Sequence, residues 1–147
     1  MRRFLFLILL FPILASAQNP DAILGRWKDE YNSKIVEIYK KDNYYFGKIV
    51  WLKDSLNIDG TRRRDIYNET ESKRTRLLLG ADVLMYFRWD KGDNEWDDGK
   101  IYSEFSGNTY NAKMWISDGA LRVKGYYSFL FFLGKTRTWT REPYKYH

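Results

Sequence analysis

Thr109-Tyr110-Asn111-Ala112-Lys113-Met114-Trp115-Ile116-Ser117-Asp118-Gly119-Ala120-Leu121-Arg122-Val123-Lys124-Gly125-Tyr126 is the stretch whose reading decides the fold. Tyr110, Ala112, Met114 and Ile116 recur at every second position. That period puts them on one face of a strand, because successive strand side chains point to opposite faces. Asp118-Gly119 then interrupts the run. An Asp-Gly pair between two alternating segments signals a hairpin, since a tight reversal needs positive φ at both central residues. Beyond it Leu121, Val123 and Gly125 again share a face. The segment predicts two antiparallel strands joined by a two-residue turn.

The same grammar extends outward in both directions. Toward the C-terminus, residues 134–141 alternate Thr136, Thr138 and Thr140 against Lys135, Arg137, Trp139 and Arg141. Toward the N-terminus, residues 100–105 read as a strand that turns at Ser106-Gly107-Asn108. Residues 83–89 read as another, and 90–98 as a loop rich in turn formers. Residues 24–31, 34–40 and 44–52 read as three more, with Val36 and Ile38 sharing a face and turns at Asn32-Ser33 and Lys41-Asp42-Asn43. Gly47 inside a strand implies a bulge or bend. The one irregular connection, 53–78, is long for a compact domain. It reads as a lid or connector over an opening, with a short helical turn at 69–76. About eight strands at near-regular spacing predict an all-β chain, a single antiparallel barrel. Closure removes exposed edges. A barrel of that size either fills its interior with side chains or leaves room for one small ligand.

Composition agrees and narrows the chemistry. The chain holds 6 Trp, 12 Tyr and 9 Phe, residues that suit pleated, half-buried surfaces. It has no Cys and a single His, the terminal His147. Disulfides, thiol nucleophiles and cysteine metal sites are excluded, and zinc, haem and Ser-His-Asp chemistry lose their usual side chain. Arg2-Arg3, the apolar run 4–14 and Ala15-Ser16-Ala17 form the pattern of a secretory signal peptide cut after Ala17,. The run is shorter than the about 20 residues a membrane-crossing helix needs, and no Cys follows it for lipid attachment. Residues 18–147 are then expected as one exported domain, periplasmic or secreted. Without Arg2 and Arg3, basic residues exceed acidic ones by about four,, and the excess is too dispersed to argue for nucleic acid.

Gly25-Arg26-Trp27 opens the first strand, and Trp139 with Arg141 closes the last. In a closed barrel these strands are neighbours. An arginine covering the first Trp would form a cation–π pair worth roughly 0.5–2 kcal/mol, so Trp27, Trp139 and Arg141 are read as barrel-closing structural residues. A Gly-x-Trp start with a late Arg resembles the lipocalin and wider calycin pattern. A more extensive resemblance runs through Leu24-Gly25-Arg26-Trp27, Val36-Glu37-Ile38-Tyr39, Tyr45-Phe46-Gly47-Lys48-Ile49-Val50, Asp65 with Asn68, and Leu78-Leu79-Gly80. It continues through Trp96, Gly99-Lys100-Ile101-Tyr102, residues 107–113, 121–126 and 133–141. This succession resembles the bacterial family called domain of unknown function 2147. The resemblance implies an exported, lipocalin-like barrel with no established activity. That family commonly has a Pro after the Gly-Lys-Ile-Tyr segment, where this chain has Ser103-Glu104.

The function expected from this reading is non-catalytic binding of a small apolar or amphipathic molecule inside the barrel. The candidate lining is Val36, Ile38, Met85, Phe87, Ile101, Tyr110, Ala112, Met114, Leu121 and Val123, with an ordinary filled core as the equal alternative. The second reading is a surface module for an envelope glycan or a partner protein, presenting Trp51, Trp89, Trp96 and Trp115. Glu37, opposite Val36 and Ile38, is expected to face solvent. The acidic stretch Asp90 to Asp98 lacks the spacing of a helix–loop–helix calcium site and shows no two carboxylates facing each other as glycoside cleavage requires. Arg62-Arg63-Arg64 has acidic neighbours and reads as a solvated loop. No catalytic residue, metal ligand or cofactor is assigned, and the oligomeric state is left open.

Overall fold

The computed structural model describes residues 18–127 and 133–144; the expected signal peptide and His147 lie outside them. Eight antiparallel strands form a closed barrel in chain order. They are β1 Gly25–Lys28, β2 Lys34–Lys41, β3 Tyr44–Leu52, β4 Asp82–Asp90, β5 Glu95–Tyr102, β6 Thr109–Ser117, β7 Ala120–Tyr126 and β8 Lys135–Glu142. Each strand pairs with its neighbour in sequence, and β1 closes the ring on β8. Among the described residues no helix is long and apolar enough to cross a membrane.

The deciding hairpin is β6 and β7. Ala112 faces Gly125, Met114 faces Val123 and Ile116 faces Leu121. Asp118 and Gly119 both take positive φ, as a tight reversal requires. Alternation along every strand sends one set of side chains inward. Trp27, Val36, Ile38, Tyr45, Ile49, Leu84, Phe87, Trp96, Ala112, Met114 and Leu121 form the buried core. Glu37 lies on the outer face, where Arg26 on β1 donates to it at 2.9 Å.

Three expectations are corrected. The loop read over 90–98 is largely strand: β4 runs to Asp90 and β5 begins at Glu95. Its acidic residues hid the alternation, and the β5–β6 register shifts between Trp96 and Gly99, with Asp98 at positive φ. This bulge puts both Trp96 and Gly99 inside. Trp96 is therefore a core residue, fully buried, and not a surface aromatic. The long connection contains a single 3-10 turn, Glu71–Lys73, shorter than the helical turn read over 69–76. It is organised around a buried carboxylate instead. Asp65 accepts from Asn68 Nδ2 at 2.8 Å, Arg76 Nε at 2.8 Å and the Tyr102 hydroxyl of β5.

One end of the barrel is plugged from below. A 3-10 turn, Pro20–Ile23, precedes β1. Trp27 Nε1 donates to the Ile23 carbonyl at 2.8 Å, and Trp96 Nε1 donates to the Pro20 carbonyl at 3.0 Å. Both buried indole N–H groups thus find partners, and Ile23 is buried with them. The Tyr45 hydroxyl donates to Asp21 at 2.7 Å.

Candidate functional site

The opposite end of the barrel is a cup. It lies where β1, β5 and β7 finish and β2, β6 and β8 begin, and it encloses about 510 Å³. Small-molecule sites commonly span about 300–1,000 Å³. Its apolar wall comes from Ile101, Val123 and Trp139, with Tyr110, Tyr126 and Phe105 toward the mouth. The cup exists because inward positions change size along the barrel. Trp27, Trp96, Tyr45 and Phe87 fill the plugged half, whereas Gly125 stands at an inward position of the other half and lines the cavity.

The sequence-derived lining divides between these halves. Ile101, Tyr110 and Val123 line the cup. Val36, Ile38, Phe87, Ala112, Met114 and Leu121 lie in the packed core below it, with Met85 packed against that core. Trp139, expected as a barrel-closing residue, is part of the cavity wall. Arg141 sits opposite Trp27 in the β1–β8 register, with its guanidinium 4.0 Å from the Trp27 ring centroid. It donates to the carbonyls of Ala22 at 2.6 Å and Leu24 at 2.9 Å. Arg141 thus ties the last strand to the plug at the end remote from the cup.

The polar groups of the cup were not foreseen. Asp29 is buried and folds the β1–β2 turn, accepting from the Ser33 N–H and hydroxyl at 2.7 Å and from the Lys34 N–H at 2.9 Å. Glu30 bridges to β8, accepting from Arg137 at 2.9 Å and the Thr138 N–H at 3.0 Å. That N–H bond, more than the arginine, holds its carboxyl below the usual range. At the mouth the Tyr110 and Tyr127 rings meet edge-on at 5.0 Å. The influence of each phenol on the other lowers the Tyr110 pKa and raises that of Tyr127. At the rim, Lys34, the first residue of β2, donates to Glu104 Oε1 in the β5–β6 connection. Glu104 is 4% exposed. Its Oε2 is the one buried side-chain polar atom among the described residues without a hydrogen-bond partner.

The connection 53–81 does not line the cup. It packs outside it, through Asp65 on Tyr102 and through Tyr67, whose carbonyl fills the space where a side chain on Gly107 would go. Among the described residues no three metal-ligating side chains cluster. A different feature occupies the outer face of β2, β3 and β4. Tyr39 stacks on Phe46 at 5.7 Å, Phe46 meets Tyr86 edge-on at 5.1 Å, and Tyr44 meets Tyr86 at 6.0 Å. Tyr86 is 57% exposed.

Comparison with known proteins agrees with this architecture. Residues 25–141 match the model of a family described as uncharacterized protein conserved in bacteria, DUF2147. A solved structure of a Helicobacter pylori protein, described as belonging to the lipocalin family, superposes with a TM-score of 0.68 at 21% identity, covering 82% of each chain. At that identity the likeness is one of fold. No curated protein matches the chain.

Proposed function

The chain belongs to the bacterial DUF2147 family of lipocalin-like barrels, and from that premise we propose that it is an exported, non-catalytic carrier of one small amphipathic molecule held in the cup. The observation that carries the reading is the half-filled interior. A plugged lower half gives a rigid floor, and about 510 Å³ above it is walled by Ile101, Val123 and Trp139. Burying apolar ligand surface there is favourable by about 25 cal/mol per Å² removed from water. The aromatic mouth adds flat, weakly polar surface of the kind found in pre-formed sites. Of the carboxylates described in its wall, Asp29 and Glu30 hold turns and strands together and Glu104 is paired with Lys34.

Native mass spectrometry of the protein purified from its own host tests this. The expected result is a reproducible extra mass that departs on denaturation and is absent from Gly125→Leu. In that variant the added side chain meets only Ile101 Cγ2 and Tyr110 Cβ near its root, so it extends into the cup. A clean mass, unchanged after addition of lipid extract, would overturn the carrier reading. The outer-face cluster of Tyr39, Tyr44, Phe46 and Tyr86 then supports the second reading, a surface module for a glycan or partner protein.

A further inference from the structure

We infer that the cup selects a ligand whose polar end is a hydroxyl, held between Lys34 and Glu104, over one ending in a carboxylate or an amine. The inference rests on the carrier reading and specifies the ligand's polar end. Its starting point is the orphaned Glu104 Oε2. A buried acceptor without a donor carries an unrecovered desolvation cost, so a bound group that donates to it is favoured. Lys34 supplies the complementary half. An ammonium carries three donors, and the bond to Glu104 Oε1 uses one. Lys34 and Glu104 both line the cavity. Phe105 lies beside them, its ring centroid 5.5 Å from Lys34 Nζ.

A site offering one acceptor and one donor side by side fits a group that both donates and accepts. A hydroxyl does both without adding charge. A carboxylate would satisfy Lys34 but bring a second anion against Glu104. An ammonium would satisfy Glu104 but crowd Lys34. The other charges of the wall cancel in pairs: Glu30 is paired with Arg137, and Asp29, which accepts three bonds from the β1–β2 turn, is offset in sign by Lys135. Oε2 is covered in the empty barrel, and a ligand reaches it by rotation about the terminal carboxylate torsion, which is broad and soft. The apolar body then lies against Ile101, Val123 and Trp139.

The experiment is displacement of phenylnaphthylamine, a neutral dye, from the full mature protein by decanol, decanoate and decylamine. Decanol is expected to displace the dye at roughly tenfold lower concentration than either charged analogue, a ratio equivalent to about 1.4 kcal/mol. Glu104→Gln should narrow the gap between decanol and decanoate. Lys34→Met combined with Glu104→Met removes both charges together and leaves no lone buried ion; it should abolish the preference while the dye still binds. If decanoate or decylamine competes as well as decanol on the native protein, the hydroxyl assignment is wrong and the carrier reading stands. If neither the dye nor any analogue binds, both fall.

Discussion

At the scale of single residues, the barrel is tuned by where it refuses a side chain. Gly99 faces inward on β5, and a Cβ placed there would lie 2.3 Å from the Phe87 ring. Phe87 is fully buried, so the ring cannot swing into solvent. Gly99→Ala is therefore expected to destabilise the protein by about 1–3 kcal/mol, the usual cost of overpacking a core. Phe87→Leu in the same chain should recover part of the loss by making room. Urea unfolding of the two single variants and the double variant measures the coupling. Strictly additive losses would show that the collision is relieved elsewhere. In sequence Gly99 falls between the loop read over 90–98 and the strand read over 100–105, and belongs to neither. Its role became visible only when the bulge at Asp97-Asp98 brought Trp96 and Gly99 to the same side. Glu104 is a second case. Its burial depends on Lys34, 70 positions away, and no local pattern signals such a partner.

At the scale of elements, strands with a clean period or a run of strand-forming residues beside a turn signal were legible, and segments without either were not. Residues 44–52 give β3 at its observed bounds, and the Asp118-Gly119 hairpin has its expected reversal. In the hairpin apolar and polar residues take turns, whereas β3 shows as an aromatic and β-branched run that follows a turn signal,. The plug Pro20–Ile23 was invisible for the opposite reason. Four residues have no period, and their value lies in carbonyls offered to Trp27 and Trp96. The long connection was recognised as irregular, but its anchor, the buried Asp65 with Arg76, Asn68 and Tyr102, is a three-dimensional network. That anchor makes a pH prediction. Burial first, and then the bond to Asp65, push the Tyr102 phenol up to about 12. Burial, then Asp82, raise Tyr39 likewise to about 12. An unfolded tyrosine titrates near 10, so above that pH the unfolded chain loses protons that the folded barrel keeps. Stability is then fully present below about pH 10 and falls as pH rises toward 12. Tyr102→Phe should lower stability at pH 7 by about 1–3 kcal/mol, because it leaves Asp65 short of a donor. It should also flatten the alkaline decline. Denaturant titrations at several pH values check both, and an unchanged alkaline slope would remove Tyr102 as its source.

At the scale of the whole molecule, seven of the eight strand pairings join strands consecutive in sequence and one does not. A meander brings each strand to its sequence neighbour at small entropic cost, whereas the β1–β8 seam joins the two ends of the domain and bears the full loop-closure entropy. That seam is also short: Arg26, Trp27 and Lys28 pair with Glu142, Arg141 and Thr140, against seven paired positions between β6 and β7. Its support comes from around the ladder, through Arg141 on the plug, Glu30 on Thr138 and the Lys28–Glu142 ion pair at 3.0 Å. Unfolding should therefore begin by opening β1 from β8, and the cup, whose wall includes both Asp29 and Trp139, should lose its ligand in the same step. The chain has no cysteine, so Lys28→Cys together with Thr140→Cys creates a single possible disulfide across the seam. Such a crosslink closes a very long loop and is expected to add about 2–4 kcal/mol when oxidised. Amide exchange of β1 and β8 should slow to the level of β6 and β7, with dye affinity unchanged because the cup is pre-formed. If oxidation leaves both stability and exchange where they were, the barrel opens at another seam, and the two supports at Arg141 and Glu30 already hold its ends as firmly as its middle.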